Sequence, residues 1–316
     1  MRDHVLFLAT GGTISCCRDS GGALVPTKNS SELLELSRQC REFRCDLEVQ
    51  TCDLAQLDSS SLDLAQLDKI LDTIDHAWEN PQTRGIVLSH GTDSLEETAL
   101  ALELFHHDPR PLVITGAMRP ADDPLADGPR NLASALTYAA DPRNLRQTVK
   151  VCFHSRFLAA RGVWKKHTTD LDAFYGDEAA TTPINYHEIL GQRPKLSGID
   201  VRIIHCYPGA PGRIINEAIA AGVDGIVVEA MGAGNVGQPM AEGIIRAREQ
   251  HIPVVLGTRV PSGPIETIYG GAGGGATLGE AGVISAGRLH PSQARIALIA
   301  ALAANVDPRL LLTQDS

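Results

Sequence analysis

Short apolar runs alternate along the chain with stretches whose apolar residues recur at helical spacing. The apolar runs at residues 5–9 and 85–88 each end in a glycine- and threonine-containing turn, and a helical pattern over 95–104 follows the second. The clearest amphipathic helix carries these apolar residues: Leu64, Leu67, Ile70, Leu71, Ile74 and Trp78. Strands and helices that alternate in this way predict a mostly parallel, doubly wound α/β sheet.

Other elements are predicted from shorter signals. Ser30 and Asp127 are expected to cap helices, because they precede helical patterns and carry side chains that accept from backbone N–H groups. Residues 15–26 are polar and rich in glycine, which predicts a mobile loop that could act as a lid. Residues 157–164 are predicted to form the two arms of a hairpin.

The length of the chain favours two domains. Its 316 residues exceed what one core usually organises, and the strand–helix rhythm resumes on a smaller scale after residue 200. We predict a larger N-terminal α/β domain over residues 1–188, a linker over 189–199, and a smaller C-terminal α/β domain over 200–316.

Composition and charge exclude several classes of function. The formal net charge is −10 and no run of lysine or arginine occurs, which argues against a nucleic-acid-binding face. No apolar stretch approaches 18 residues, so no membrane span is expected, and the amino terminus lacks the layout of a signal peptide. The 7 cysteines are odd in number and form no C-x-x-C pair, which disfavours a disulfide scaffold or zinc ribbon and favours a reducing cytoplasm. We expect no metal and no cofactor.

The two turns that end strands are the strongest candidates for chemistry. Thr13 presents a hydroxyl in the first, and Thr92 and Asp93 present a hydroxyl and a carboxylate in the second. Ligands of parallel α/β sheets bind at the carboxyl ends of strands, where these turns lie. An alternative is that Asp93 or Ser94 only caps the following helix. A phosphate-binding glycine loop is disfavoured, because neither G-x-G-x-x-G nor G-K-[ST] is present.

Four segments together carry a resemblance to a known family. They are ATGGTI at 9–14, HGTDSLEET at 90–98, GAMRP at 116–120 with ADGP at 126–129, and a lysine pair followed by TTD at 168–170. In this order they resemble the bacterial-type L-asparaginase and glutaminase-asparaginase family, and the similarity extends over essentially the whole chain. A lysine pair alone would indicate a solvated surface. The resemblance assigns chemistry to Lys165 and leaves Lys166 on the surface.

The resemblance implies hydrolysis of the side-chain amide of L-asparagine to L-aspartate and ammonia through an acyl-enzyme. Thr13 would be the nucleophile, Thr92 and Lys165 would move its proton, and Asp93 would bind the substrate's α-ammonium group. Backbone N–H groups of the Thr92 turn would stabilise the oxyanion. The substrate would further meet residues that the family's pattern places around it: Gly12, Asp58, Ser59, Gly91, Ala117 and, from the partner subunit of a homodimer or homotetramer, Asn235.

Ser59 has two interpretations. The resemblance gives it the substrate's α-carboxylate, whereas its position before a helix is also typical of a cap.

The chain departs from the family's pattern at two places. Leu24 stands where many members have a lid tyrosine, and the partner's acidic residue aligns near Gly270, with Glu266 close by in sequence. Cys16 and Cys17 in the lid are more simply explained as incidental small residues than as a redox switch.

Three other functions stay open at this point. One is an amidase for a related substrate, namely L-glutamine, D-asparagine or another β-amide. Another is a non-catalytic amino-acid-binding sensor on the same fold, since a fold does not fix a function. A dinucleotide-dependent dehydrogenase is the weakest of the three, because its glycine fingerprint is missing.

Overall fold

The computed structural model of the protein describes residues 2–180 and 184–313, which form two compact units, Met1–Asn185 and Tyr186–Ser316. The strands of the first unit are β1 His4–Gly11, β2 Cys16–Arg18, β3 Leu24–Pro26, β4 Glu48–Leu57, β5 Thr83–Ser89, β6 Leu112–Thr115, β7 Lys150–Phe153, β8 Arg156–Ala159, β9 Trp164–Lys165 and β10 Phe174–Tyr175. Its helices are α1 Ser30–Arg38, α2 Leu64–Trp78, α3 Leu95–Phe105 and α4 Gly128–Ala140.

A six-stranded sheet organises the first unit, in the order β4-β1-β5-β6-β7-β8. Neighbouring strands from β4 to β7 are parallel, and β8 runs antiparallel to β7. The chain leaves β1 for β4 on one side and later crosses to β5 on the other, so the strand order reverses between β1 and β5. The carboxyl ends of these two strands therefore border the crevice in which such sheets bind ligands.

Burial explains why the apolar runs became strands. β1 and β5 are covered on both faces, and Phe7, Leu8 and Ile86 are fully buried. Nearly continuous apolar sequence is what a parallel strand between two helical layers requires. On one side Phe7 packs in a core cluster with Leu33 of α1 and Leu136 of α4. The predicted mostly parallel α/β fold is thus confirmed.

Three local predictions are corrected. Asn29, not Ser30, caps α1, because its side chain accepts the Glu32 N–H while the Glu32 carboxylate accepts the Asn29 N–H. Residues 157–164 do not form a hairpin with each other: β8 pairs with β7, and β9 pairs with β10. The segment 15–26, predicted as a loop, contains the antiparallel strand pair β2–β3, while its mobility and its role as a lid stay predictions.

The second unit is a smaller α/β layer. Its strands β11 Val201–His205, β12 Gly225–Ala230, β13 Val254–Thr258 and β14 Ile284–Ser285 form a parallel sheet in sequence order. Its helices are α5 Tyr186–Leu190, α6 Arg213–Ala220, α7 Gln238–Glu249, α8 Gly275–Glu280, α9 Pro291–Ala304 and α10 Arg309–Leu312. The start of the predicted linker, 189–199, coincides with the end of α5, and the exact domain limits stay a prediction. Within 2–180 and 184–313, no helix has the length and apolar character to cross a membrane.

Candidate active site

Two turns meet where β1 and β5 end. The strands are aligned so that Ala9 lies opposite Ser89, and the Thr10 hydroxyl donates to the Ser89 carbonyl at 2.8 Å. The chain then enters the turns that contain Thr13 and Thr92. Parallel pairing therefore places the two predicted threonine turns at one edge of the sheet.

Two glycines allow these turns to touch. Gly12 has a φ of 81°, which favours glycine, and a Cβ added to it would lie 2.5 Å from the Gly91 Cα. Any side chain at Gly12 would push the two backbones apart. The spacing between the Thr13 and Thr92 turns thus depends on bare backbone at this point.

Thr13 begins a short 3-10 turn, residues 13–15, just after Gly12. The Ser15 hydroxyl and the Cys16 thiol donate to the Gly12 carbonyl at 2.8 and 3.3 Å. Burial is the main cause that raises the pKa of Cys16, which keeps it a thiol and a donor. Sequence reasoning missed both bonds, because small polar residues in a glycine-rich turn carry no distinctive pattern.

A lysine–threonine–aspartate cluster forms the centre of the candidate site. Lys165 Nζ lies 2.8 Å from Thr92 Oγ1 and 3.1 Å from Asp93 Oδ1. Thr92 is buried, whereas the Asp93 side chain is 57% exposed, so its carboxylate also faces solvent. This arrangement can transfer a proton between a hydroxyl and an amine and can hold a cationic group at Asp93. Lys166 instead forms a partly exposed ion pair with Asp172 at 2.6 Å.

Ser59 lies against the same turn. It is buried at the start of the 3-10 turn Ser59–Ser61, its hydroxyl accepts the Asp93 N–H at 3.2 Å, and its carbonyl accepts the Ser94 hydroxyl at 2.7 Å. Asp58 provides the cap of this turn by accepting the Ser60 N–H.

Ser94 occupies the N-cap position of α3 but makes no side-chain cap bond. The interpretation of Asp93 or Ser94 as a capping side chain is therefore wrong.

The loop after β6 approaches the Thr13 turn. Ala117 is buried, and a Cβ added to Gly128 would meet both Ile14 and the Ala117 Cβ, so these residues share one small space. The Asp127 carboxylate accepts the N–H groups of Met118 and Arg119 at 2.9–3.1 Å.

Asp127 is therefore not the predicted side-chain cap of α4, although it occupies the N-cap position. The side-chain amide of Asn131 completes the arrangement by donating to the Gly116 carbonyl at 3.0 Å. The sequence signal for these hydrogen bonds was a polar residue before a helix, which a helix cap explains equally well.

The β2–β3 hairpin carries the predicted lid. Arg18 donates from its backbone N–H to Asp122 at 2.8 Å and from its guanidinium at 3.3 Å, and Cys16 accepts the Ala121 N–H. Leu24, opposite Arg18 in the hairpin, is exposed and offers no hydroxyl.

Asn235 lies in the second unit, in the turn after β12. Its N–H and carbonyl both bond to the backbone of Met231. Glu266 is exposed, and its N–H donates to the Ala233 carbonyl, which brings it beside this turn. No atom lies within 4 Å of a Cβ added to Gly270 among the described residues.

His90 stabilises the turn that contains Thr92. Its Nδ1–H donates to the Gly91 carbonyl at 2.8 Å, and its Nε2 accepts the Thr98 hydroxyl at 3.2 Å. Complete burial lowers the pKa of His90 to about 4, and burial likewise lowers that of His106 to about 4. Both imidazoles are therefore neutral in the folded protein near pH 7.

These histidines predict a loss of stability in acid. The unfolded chain takes up their protons below pH 6.5 and the folded protein only near pH 4, so the free energy of unfolding falls over that interval. Each should account for about 2–3 kcal/mol between pH 7 and 4.5. The Nε2–H of His106 donates to the Arg110 carbonyl at 3.0 Å, and His106→Gln keeps a donor for that carbonyl. In urea unfolding, the free energy of unfolding of this variant should fall between pH 7 and 4.5 by about 2–3 kcal/mol less than that of wild type. An equal decline in wild type and variant would contradict the prediction.

Within the two described stretches, no group of three or more histidine, cysteine, aspartate or glutamate side chains is arranged to hold a metal ion.

Comparison with known proteins gives consistent matches along the chain. A family model described as the N-terminal domain of asparaginase matches residues 4–192, and one for the C-terminal domain of glutaminase/asparaginase matches 200–311. An L-asparaginase from Bacillus licheniformis is 31% identical, with 96% of each chain covered.

Solved structures of L-asparaginases are also similar to this chain. The thermostable L-asparaginase from Thermococcus kodakarensis has a TM-score of 0.81 and 26% identity, covering 99% of this chain and 97% of that one. A probable cytoplasmic L-asparaginase from Campylobacter jejuni has a TM-score of 0.79 and 25% identity, covering 99% and 98%.

Proposed function

Because the chain belongs to the bacterial-type L-asparaginase family, we propose that it hydrolyses the side-chain amide of L-asparagine to L-aspartate and ammonia, with Thr13 as the nucleophile. The observation that carries the mechanism is the 2.8 Å bond between Lys165 Nζ and Thr92 Oγ1, beside the Thr13 turn. A hydroxyl in contact with an amine is a route for the proton that a threonine nucleophile must lose.

The reaction proceeds in two halves. The Thr13 oxygen attacks the amide carbon, and its proton passes through the Thr92–Lys165 pair to the leaving nitrogen, so the C–N bond breaks and ammonia departs. The aspartyl group is then an ester on Thr13. Water attacks this ester, gives its proton back through the same pair, and releases L-aspartate with the Thr13 hydroxyl restored.

Substrate recognition follows from the groups around this pair. The exposed Asp93 carboxylate takes the α-ammonium group, and Ser59, which already contacts the Asp93 backbone, takes the α-carboxylate. Ala117 meets the amide through its backbone. The bare backbones of Gly12 and Gly91 line the floor, and N–H groups of the Thr92 turn stabilise the oxyanion. Asp58 holds the Ser59 turn.

We further propose a homodimer or homotetramer in the cytoplasm, with Asn235 completing the site of a partner subunit. All seven cysteines are unpaired in the structure, which suits a reducing compartment. A similar solved structure is described as a probable cytoplasmic L-asparaginase, although a relative from Haemophilus influenzae is described as a probable L-asparaginase, periplasmic.

Related amides are the second candidate, and the observation that favours them is Leu24. It leaves the hairpin without the hydroxyl that many family members place near the nucleophile, so that group does not limit which amides fit the site.

The test is ammonia release from L-asparagine, L-glutamine and D-asparagine, with chelator present and no added metal. We expect the highest kcat/KM for L-asparagine. A higher value for another amide would replace the substrate, and calorimetric binding of L-asparagine or L-aspartate without turnover would favour the sensor.

A further inference from the structure

Lys165 lies on a very short strand outside the main sheet. β9 has two residues, and among the residues that the structure describes it pairs with β10 alone, through Lys165–Phe174 and Trp164–Tyr175. The ring of Phe174 packs on Phe153 of β7, with centroids 4.7 Å apart. These contacts fix the β9–β10 hairpin to itself and to one end of the sheet. They do not by themselves set its distance from the N-terminus of α3, where Thr92 and Asp93 lie.

A side chain of α3 bridges this gap. The Glu96 carboxylate accepts the backbone N–H of Lys165 at 2.7 Å, across 69 residues of sequence. Glu96 lies in the first turn of the helix, four residues after Thr92. A bond from an ionised carboxylate to an N–H is about twice as strong as a neutral one. Glu96 thus holds the backbone of Lys165, while Thr92 and Asp93 hold its side-chain amine.

The position of the Lys165 backbone matters because the lysine side chain is flexible. Four methylene groups separate the Lys165 backbone from its amine, and ordering such a side chain has an entropic cost. A fixed backbone limits the positions that Nζ can reach. Through Glu96, the first turn of α3 therefore holds the backbone from which the Lys165 amine extends, and Glu96 lies four residues after Thr92, whose hydroxyl the amine contacts.

We propose that Glu96 is a positioning residue for the amide hydrolysis, which holds Lys165 at hydrogen-bond distance from Thr92. The inference rests on the proposed function only for its kinetic consequence; the positional one stands separately. A carboxylate in the first turn of a helix also favours the helix dipole. That general effect is shared by Glu97 in the same turn, whereas the bond to Lys165 N–H belongs to Glu96.

The test compares three variants. Glu96→Ala removes the acceptor, Glu96→Gln keeps an acceptor oxygen but removes the charge, and Glu97→Gln removes one negative charge from the same turn. We expect Glu96→Ala to lower kcat for L-asparagine about 10- to 100-fold with KM changed less than about threefold, since small misplacements of reacting groups have effects of this size. Glu96→Gln should stay within about threefold of wild type, and Glu97→Gln within about twofold.

Crystal structures of the two Glu96 variants give a readout that does not need activity. Lys165 Nζ should lie beyond 3.5 Å from Thr92 Oγ1 in Glu96→Ala and return to bonding distance in Glu96→Gln. Persistence of the Lys165–Thr92 bond in Glu96→Ala, or kcat within twofold of wild type there, would overturn the proposal. If the wild type is inactive on L-asparagine and Lys165 Nζ is displaced from Thr92 in Glu96→Ala, the proposed reaction is contradicted and the positional role of Glu96 is supported.

Discussion

Thr13→Ala should lower kcat for L-asparagine by about 10³-fold or more, while L-aspartate still binds. Removing a nucleophile eliminates the covalent route and leaves only the binding and oxyanion groups to act on water, which typically retain a small part of the acceleration. The backbone of the turn should survive, because Gly12 is held by bonds from Ser15 and Cys16 rather than by the Thr13 side chain.

The measurement is steady-state ammonia release, with thermal melting to show that the variant is folded. Thr13→Ser, which keeps a hydroxyl, should recover part of the rate. Thr73→Ala is a matched control, since its hydroxyl bonds within α2 to the Lys69 carbonyl. A Thr13→Ala enzyme within tenfold of wild type would show that another group attacks the amide.

Lys165→Met should lower kcat about 10²- to 10⁴-fold, the range typical of a lost general acid–base group. Methionine retains much of the apolar stem but has no amine to exchange a proton with Thr92. Thr92→Val should have an effect of similar size, because it removes the other half of the same 2.8 Å bond. Since the two groups act as a unit, the double variant should be little worse than the more impaired single one.

Lys166→Met provides the control for this prediction. It removes the same charge from the adjacent position, where the lysine forms a partly exposed pair with Asp172, and such pairs contribute little. We expect its rate within about threefold of wild type. Equal losses in Lys165→Met and Lys166→Met, or independent additive effects of Thr92→Val and Lys165→Met, would rule out a coupled proton route.

The sequence predicted the parts of this molecule that depend on local pattern. The apolar stripe of α2 and the buried run of β5 have periods that only a helix and a strand can satisfy, and both elements are found. The two threonine turns were predictable for the same reason: each ends a strong strand. Their proximity followed from parallel pairing, which the alternation of elements already favoured.

Bonds between distant segments were not predictable in this way. Asp127 was expected to cap α4, but its carboxylate accepts the backbone N–H groups of Met118 and Arg119. The sequence does not distinguish the two roles, because an aspartate can cap a helix or bond to a loop backbone. The sequence around Glu96 is typical of the first turn of a helix, and nothing in it indicates that the carboxylate accepts the backbone N–H of Lys165, 69 residues away. The chemistry of Lys165 itself came only from the family resemblance, since a lysine pair is usually solvated.

The separation of the two strand-end turns also has a consequence for how the protein is made. The Thr10 hydroxyl reaches the Ser89 carbonyl across 79 residues, and Thr92 meets Lys165 across 73 more. During synthesis the N-terminal strand emerges first and has neither neighbour available. Pairing between such distant segments forms late, because the intervening chain must be closed at an entropic cost. If Thr13 is the nucleophile, as proposed, a nascent chain carries it long before Thr92 and Lys165 are in place to activate it, and hydrolysis requires at least the finished N-terminal unit.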